Sequence, residues 1–74
     1  MKIYIKNVLD AQPVGAIVLV HAPGYSMHFV CEISGQKRRD QFLRYLYERI
    51  HPYPEVTKMQ ACRFCDKGVE VWVV

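Results

Sequence analysis

The sequence predicts an α+β domain in which an antiparallel or mixed sheet of four to five strands carries one helix on one face, in the order βββαββ. One segment, residues 34–50, has the apolar spacing of an amphipathic helix. The segments on either side of it have the alternation or the β-branched content of strands, and glycine and proline separate them. The 74 residues are expected to form a single domain, 1–74, near the lower size limit for independent folding.

Three strands are predicted before the helix, at residues 2–9, 16–22 and 25–33. The first alternates Ile3 and Ile5 with polar neighbours, which is typical of a half-buried strand. The second is almost continuously apolar, as expected of a central strand covered on both faces. The third alternates most clearly, and its predicted inward row is Met27, Phe29, Cys31 and Ile33.

The predicted helix begins at Ser34, a residue type that caps helix N-termini, and ends before Pro52. Its apolar stripe consists of Leu43, Leu46, Tyr47 and Ile50, with Phe42 at the edge. Three consecutive cations follow the N-terminus, where the helix dipole favours anions. This placement has two interpretations: simple tolerance, or a site meant to dock an acidic surface or a phosphate.

Two strands are predicted after the helix, at residues 55–64 and 69–74. The alternation of the first does not indicate which row faces the core. The second places Glu70 and Trp72 on the face opposite its valines. Gly68 ends the turn between them, and we expect it to adopt a left-handed conformation. Because one helix covers one face, the other face is predicted to be open unless the chain forms a homodimer or binds a partner.

The bulk composition describes a folded protein with little room for a reaction centre. It is 51% hydrophobic and 23% charged, with a net charge of +3, and a chain this short has little space for a substrate cavity of about 300 Å³ or more. No signal peptide or membrane-spanning segment is indicated. Three cysteines are too few for a disulfide scaffold. We therefore expect a soluble, cytoplasmic protein that is not an enzyme.

Cys62 and Cys65 form the one recognisable local motif, a CxxC pair at a glycine-closed hairpin that resembles half of a zinc knuckle. A zinc site needs four ligands, and no second pair with metal spacing exists, so a zinc-linked interaction module is only an alternative. The serines and histidines show no nucleophile pattern. The sequence thus predicts no catalytic residue and no cofactor.

Basic residues mix with aromatic residues along the helix and the fourth strand, which keeps nucleic-acid binding open as an alternative. The sequence pI of 8.9 lies just below the value of about 9 that is typical of such binders. No RNP-like, GxxG or helix-turn-helix pattern is present.

The fourth predicted strand, Glu55-Val56-Thr57-Lys58-Met59-Gln60-Ala61-Cys62, follows the helix and a proline-bearing turn. This arrangement resembles the small bacteriophage inhibitors of bacterial RNA polymerase, the gene-two products of the T-odd phages. The resemblance implies a small α+β domain that binds the jaw of the polymerase β′ subunit through basic residues on this strand. Lys58 matches the first of those basic residues, whereas Gln60 stands at the position of the second.

These observations together predict a non-enzymatic binding protein, of phage type, that inhibits or modulates a host macromolecular machine. The expected partner is a protein with an acidic surface, and bacterial RNA polymerase is the suspected one. The residues predicted to bind it are Arg38, Arg39, Arg44, Lys58, Gln60 and Arg63. Cationic side chains in this set would act as charge anchors.

Overall fold

The computed structural model describes residues 2–50, 55–63 and 65–74 of the chain. In chain order the elements are β1 (Ile3–Tyr4), α1 (Ile5–Ala11), β2 (Ile17–His21), β3 (Phe29–Glu32), α2 (Gln36–Arg49), β4 (Glu55–Ala61) and β5 (Val69–Val73). The strands form a five-stranded sheet in the order β1-β4-β5-β2-β3. The β2–β5 pair is parallel and the other neighbours are antiparallel. The predicted α+β class and mixed sheet are confirmed, with one helix more than predicted.

The additional helix, α1, corrects the prediction of a strand over residues 2–9. Only two residues of that segment are strand, and they pair with the start of β4. The spacing of Ile5, Val8 and Leu9 places all three on one face of a helix, and all three are buried. Lys6 and Asp10 pair one turn apart, with 2.5 Å between Nζ and Oδ2. The alternation of Ile3 and Ile5 covers too few positions to compete with this helical period.

The predicted amphipathic helix is confirmed as α2, but it begins later than predicted. Its N-terminal flanking residue is Gly35, with φ 149° and no side-chain cap, rather than Ser34. That φ is a conformation that L side chains rarely adopt, so glycine sets the entry to the helix. Phe42 and Leu46 are buried within α2. The predicted stop at Pro52 lies outside the described residues.

Both helices bury their apolar sides against one face of the sheet, and the core lies between them and the strands. The buried strand residues of this core are Val18, Val20, Phe29, Cys31, Ile33, Val71 and Val73. The predicted inward row of the third strand is confirmed except at Met27, which precedes β3 and is 64% exposed. The prediction that the second strand is covered on both faces is wrong, because the side chains of Leu19 and His21 are only half-buried on the face without helices. No described helix is long and apolar enough to cross a membrane.

The turn between β4 and β5 packs closely against β2. A Cβ atom at Gly68 would lie 2.4 Å from the carbonyl oxygen of Ile17, so no other residue fits without a backbone shift. Gly68 does not have a positive φ, which corrects the predicted left-handed conformation. Close backbone approach, and not turn geometry, requires this glycine. The end of the predicted fourth strand at Phe64 lies outside the described residues.

Candidate functional site on the open face of the sheet

The sheet face opposite the helices carries a group of polar and aromatic side chains, here called the open-face cluster. Its members are His21, His28, Lys58, Gln60, Glu70 and Trp72. Together with Leu19 and Arg63 they line a shallow cavity of about 430 Å³. These residues come from four parts of the chain. Those on β2, β4 and β5 meet because β5 lies between β2 and β4 in the sheet.

The register of the three central strands explains why these side chains meet. In β5, Glu70 and Trp72 alternate with the buried valines and therefore point away from the helices. The parallel partner of Trp72 on β2 is His21, and its antiparallel partner on β4 is Lys58. Gln60 is the β4 partner of Glu70. Thus each polar residue of β5 has a polar neighbour on the same face.

His21 lies at the centre of the cluster between two rings. Its imidazole stacks on the Trp72 ring at 4.5 Å between centroids, with the planes 8° apart. The His28 ring meets it edge-on at 4.2 Å. The Nε2 atom of His21 is buried, has no hydrogen-bond partner among the residues that the structure describes, and lies 3.9 Å from Oε2 of Glu70.

Burial lowers the pKa of His21 below its ordinary value, and the nearby His28 lowers it further. The negative charge of Glu70 acts in the opposite direction and is the smallest of the three effects. The pKa therefore favours a neutral His21 imidazole at neutral pH. A neutral ring stacks on Trp72 without the cost of burying a charge.

Glu70 is buried, with 5% of its surface exposed, although no helix covers this face. Oε2 of its carboxylate accepts a hydrogen bond from Nε2 of Gln60 at 3.3 Å. A carboxylate removed from water needs several hydrogen-bond donors. Its Oε2 atom also faces the His21 nitrogen, beyond hydrogen-bond distance. The floor of the cavity is thus polar and under-satisfied by the described residues.

Trp72 supplies the apolar surface of the site, and its rim is cationic. Nζ of Lys58 lies 4.8 Å from the centroid of the Trp72 ring, which is within the range of a cation–π contact. Thr57 fixes the strand beside it by donating from Oγ1 to the Trp72 carbonyl oxygen at 3.0 Å. Arg63 is exposed at the end of the cavity nearest the β4–β5 turn.

The structure divides the predicted partner-binding residues between two surfaces. Lys58, Gln60 and Arg63 belong to the open face. The three arginines, Arg38, Arg39 and Arg44, lie on α2, on the other side of the sheet. The predicted residues therefore do not form one continuous surface.

Arg39 contributes to neither surface, because its side chain is hydrogen-bonded to the end of α1. Its Nε donates to the carbonyl oxygen of Leu9 at 3.0 Å, and its Nη2 donates to that of Gln12. These acceptors are carbonyl groups at the C-terminal end of α1, where cations are favourable. Arg39 joins the two helices and is not available as a charge anchor.

Sequence reasoning missed His21 and Glu70 as members of the site. The alternation of β5 predicts that Glu70 and Trp72 lie on the same face, so the sequence contains a signal for Glu70. Nothing in the sequence shows that β2 and β5 are parallel neighbours, which is what brings His21 onto Trp72.

The CxxC pair contributes to the β4–β5 turn. Cys62 is buried, Cys65 is half-buried, and both are free thiols. The amide of Cys65 donates to the carbonyl oxygen of Cys62 at 3.4 Å. Within residues 2–50, 55–63 and 65–74, no three His, Cys, Asp or Glu side chains are arranged to hold a metal ion.

Comparison of the chain with known protein families, with curated proteins and with solved structures found no match.

Proposed function

We propose that this chain is a non-enzymatic binding protein whose open face docks onto an acidic surface of a protein partner. The cavity of the open face supports the proposal, because one half-buried tryptophan and the exposed cations Lys58 and Arg63 line it together. Tryptophan and arginine are the residue types most enriched among those that dominate binding energy. Cations around them steer an acidic partner and fix its register.

The resemblance of the β4 strand supplies the candidate partner, bacterial RNA polymerase. In this proposal the chain acts as a bacteriophage inhibitor or modulator of host transcription. Lys58 is the residue on which the resemblance and the open-face cluster coincide. Its amine projects over Trp72, so one contact of the partner would engage both side chains.

Binding of the purified chain to purified bacterial RNA polymerase tests the proposal, measured by biolayer interferometry. Lys58→Glu is expected to weaken binding by about tenfold or more, since it reverses the charge that lies against the Trp72 ring. Arg44→Glu is the matched control, because it makes the same change in charge on α2, away from the open face. No binding of the wild-type chain would reject polymerase as the partner, and equal affinities of the two variants would reject the open face.

Single-stranded nucleic acid is a second candidate, favoured by one observation. The stacked rings of His21 and Trp72 lie on a sheet surface with cations at its rim, an arrangement on which unpaired bases stack. The buried carboxylate of Glu70 opposes phosphate binding at the same place. Protein docking is therefore the first proposal.

The intrinsic fluorescence of Trp72, the one tryptophan of the chain, separates the two candidates. A stacked base should quench it when an oligothymidine is added at low salt, and the affinity should fall steeply as salt rises. The oligonucleotide of the same length in duplex form is the control. Unchanged emission at low salt would exclude this candidate.

A further inference from the structure

The sheet ends at β3, whose outer edge pairs with no strand of the described residues. The amide of Ile33 donates to the carbonyl oxygen of Ala16 on the β2 side at 2.8 Å. Backbone groups in an antiparallel pair point alternately toward the partner strand and away from it. Ile33, Cys31 and Phe29 therefore bond toward β2, and the backbone groups of Val30 and Glu32 point outward.

A groove runs between this edge and α2. Its volume is about 480 Å³, and it is lined by Met27, His28, Phe29, Val30, Arg38, Gln41, Phe42 and Tyr45. The four α2 residues recur at the spacing of a single helical stripe. The Phe29 and Tyr45 rings meet at 5.9 Å at the apolar end. At the other end, Arg38 lies beside the Cys31 thiol, and its positive charge opposes the rise in pKa that burial causes there.

The two edges of the sheet differ in how they are protected. At the other edge, β1 covers the start of β4, and β4 itself is irregular between Val56 and Lys58, where its register with β5 shifts. Such bulges, together with lysine, keep foreign strands from adding to an edge. The β3 edge has a regular register, and its Val30 side chain is 55% exposed. This edge has the features of a strand that accepts a partner.

We propose that the β3 edge accepts an extended segment of the partner protein as a sixth strand. The inference rests on the proposed function, protein binding, and specifies how the partner is held. Outward amide and carbonyl groups of Val30 and Glu32 would bond the segment, and every second side chain of the segment would enter the groove. Because Arg38 lies beside Cys31 and Tyr45 beside Phe29, which are two positions apart on β3, the segment carries an acidic and an apolar residue at the same spacing.

Charge decides between this occupant and a second copy of the chain. A symmetric pairing of two β3 edges would bring two α2 helices together, each with Lys37 and Arg38 near its start. Each chain also has a net charge of +3. Two copies of like net charge repel each other, whereas an acidic segment satisfies Arg38.

The test uses two synthetic peptides, acetyl-TSETLTS-amide and its reverse, acetyl-STLTEST-amide, because the direction of the added strand is open. Each is titrated into the ¹⁵N-labelled full chain. One of them is expected to shift the amide signals of Val30 and Glu32 saturably and to slow their hydrogen exchange. The same peptides with lysine in place of glutamate are the matched controls and should leave both signals unchanged.

Two variants keep the outcome interpretable. Val30→Pro removes an outward N–H and leaves the bonds to β2 intact, so it should abolish peptide binding while the Phe29 and Cys31 amides remain protected. Arg38→Glu, which leaves the edge untouched, should abolish preference for the acidic peptide. Shifts at His21 and Trp72 instead of β3, concentration-dependent protection of β3 without peptide, or no saturable shift would each overturn the proposal. Peptide binding at β3 with no affinity for polymerase would reject only the polymerase as partner.

Discussion

The two faces of the sheet differ in chemistry. The face under the helices is lined by valine, isoleucine, phenylalanine and cysteine side chains, all buried in one continuous core. The open face instead buries a carboxylate, Glu70, and a histidine nitrogen to which no described residue donates or accepts a hydrogen bond, beside the Trp72 ring. Groups of this kind cost free energy when they lack bonds, so they weaken the fold. The covered face therefore supplies stability, and the chemistry of the open face supports the proposal that it serves recognition.

The largest effect is expected at the covered face, from Leu46→Ala. Leu46 is fully buried between α2 and the sheet, so its truncation should lower the free energy of unfolding by about 2–5 kcal/mol. Urea unfolding followed by circular dichroism measures it. Leu43→Ala is the matched control on the same helix, since Leu43 is only partly buried, and it should cost clearly less. Equal losses for the two variants would contradict the assignment of the core.

The covered face and the open face also differ in how well sequence patterns predict them. Apolar periodicity predicted α2 and the inward row of β3 because each runs through several periods and faces the core. The sequence pattern does not predict the short α1, because Ile3 and Ile5 alternate as in a strand before the helical spacing of Val8 and Leu9 begins. Local patterns therefore described the covered face well wherever the element was long.

The site was less accessible to sequence reasoning. The sequence predicts Lys58 and Gln60 as binding residues on the fourth strand, and alternation predicts that Glu70 and Trp72 share a face. His21 joins them only through the parallel β2–β5 pair, which links segments about fifty residues apart and has no local signal. The sequence predicts Arg39 as a surface cation, because its hydrogen-bond acceptors belong to α1, a segment whose pattern predicts a strand.

A smaller effect, of opposite sign, is expected on the open face from His21→Phe. Phenylalanine keeps a ring stacked on Trp72 and removes the buried nitrogen that has no partner. The variant should therefore be more stable than the wild type by about 1 kcal/mol. His21→Ala, which removes the stacking as well, should be less stable than the wild type. Thermal unfolding of the three proteins measures the order, and a destabilised phenylalanine variant would show that this nitrogen is satisfied in solution.

The smallest effect is a dependence of stability on pH that originates at His21. Burial and the neighbouring His28 lower its pKa in the folded state, whereas an unfolded histidine titrates near about 6.5. The unfolded state therefore binds the proton more readily, so the contribution of His21 is complete above that value and declines as the pH falls through it toward the folded pKa. The decline is small, because the His21 ring is partly exposed and solvent screens its charge.

Urea midpoints measured at about pH 7.5 and about pH 5.5, on either side of the ordinary histidine pKa, should be lower at the acidic value for the wild type. His21→Phe should show a smaller difference between the two. Asp10, whose pKa is lowered by its hydrogen bond to Lys6, loses its contribution only as the pH falls below its ordinary value of 3.8, outside this range. An identical pH dependence in both proteins would mean that His21 reaches a donor or water in the folded state. The open face would then resemble the covered face in being fully satisfied, and its cost in stability would disappear.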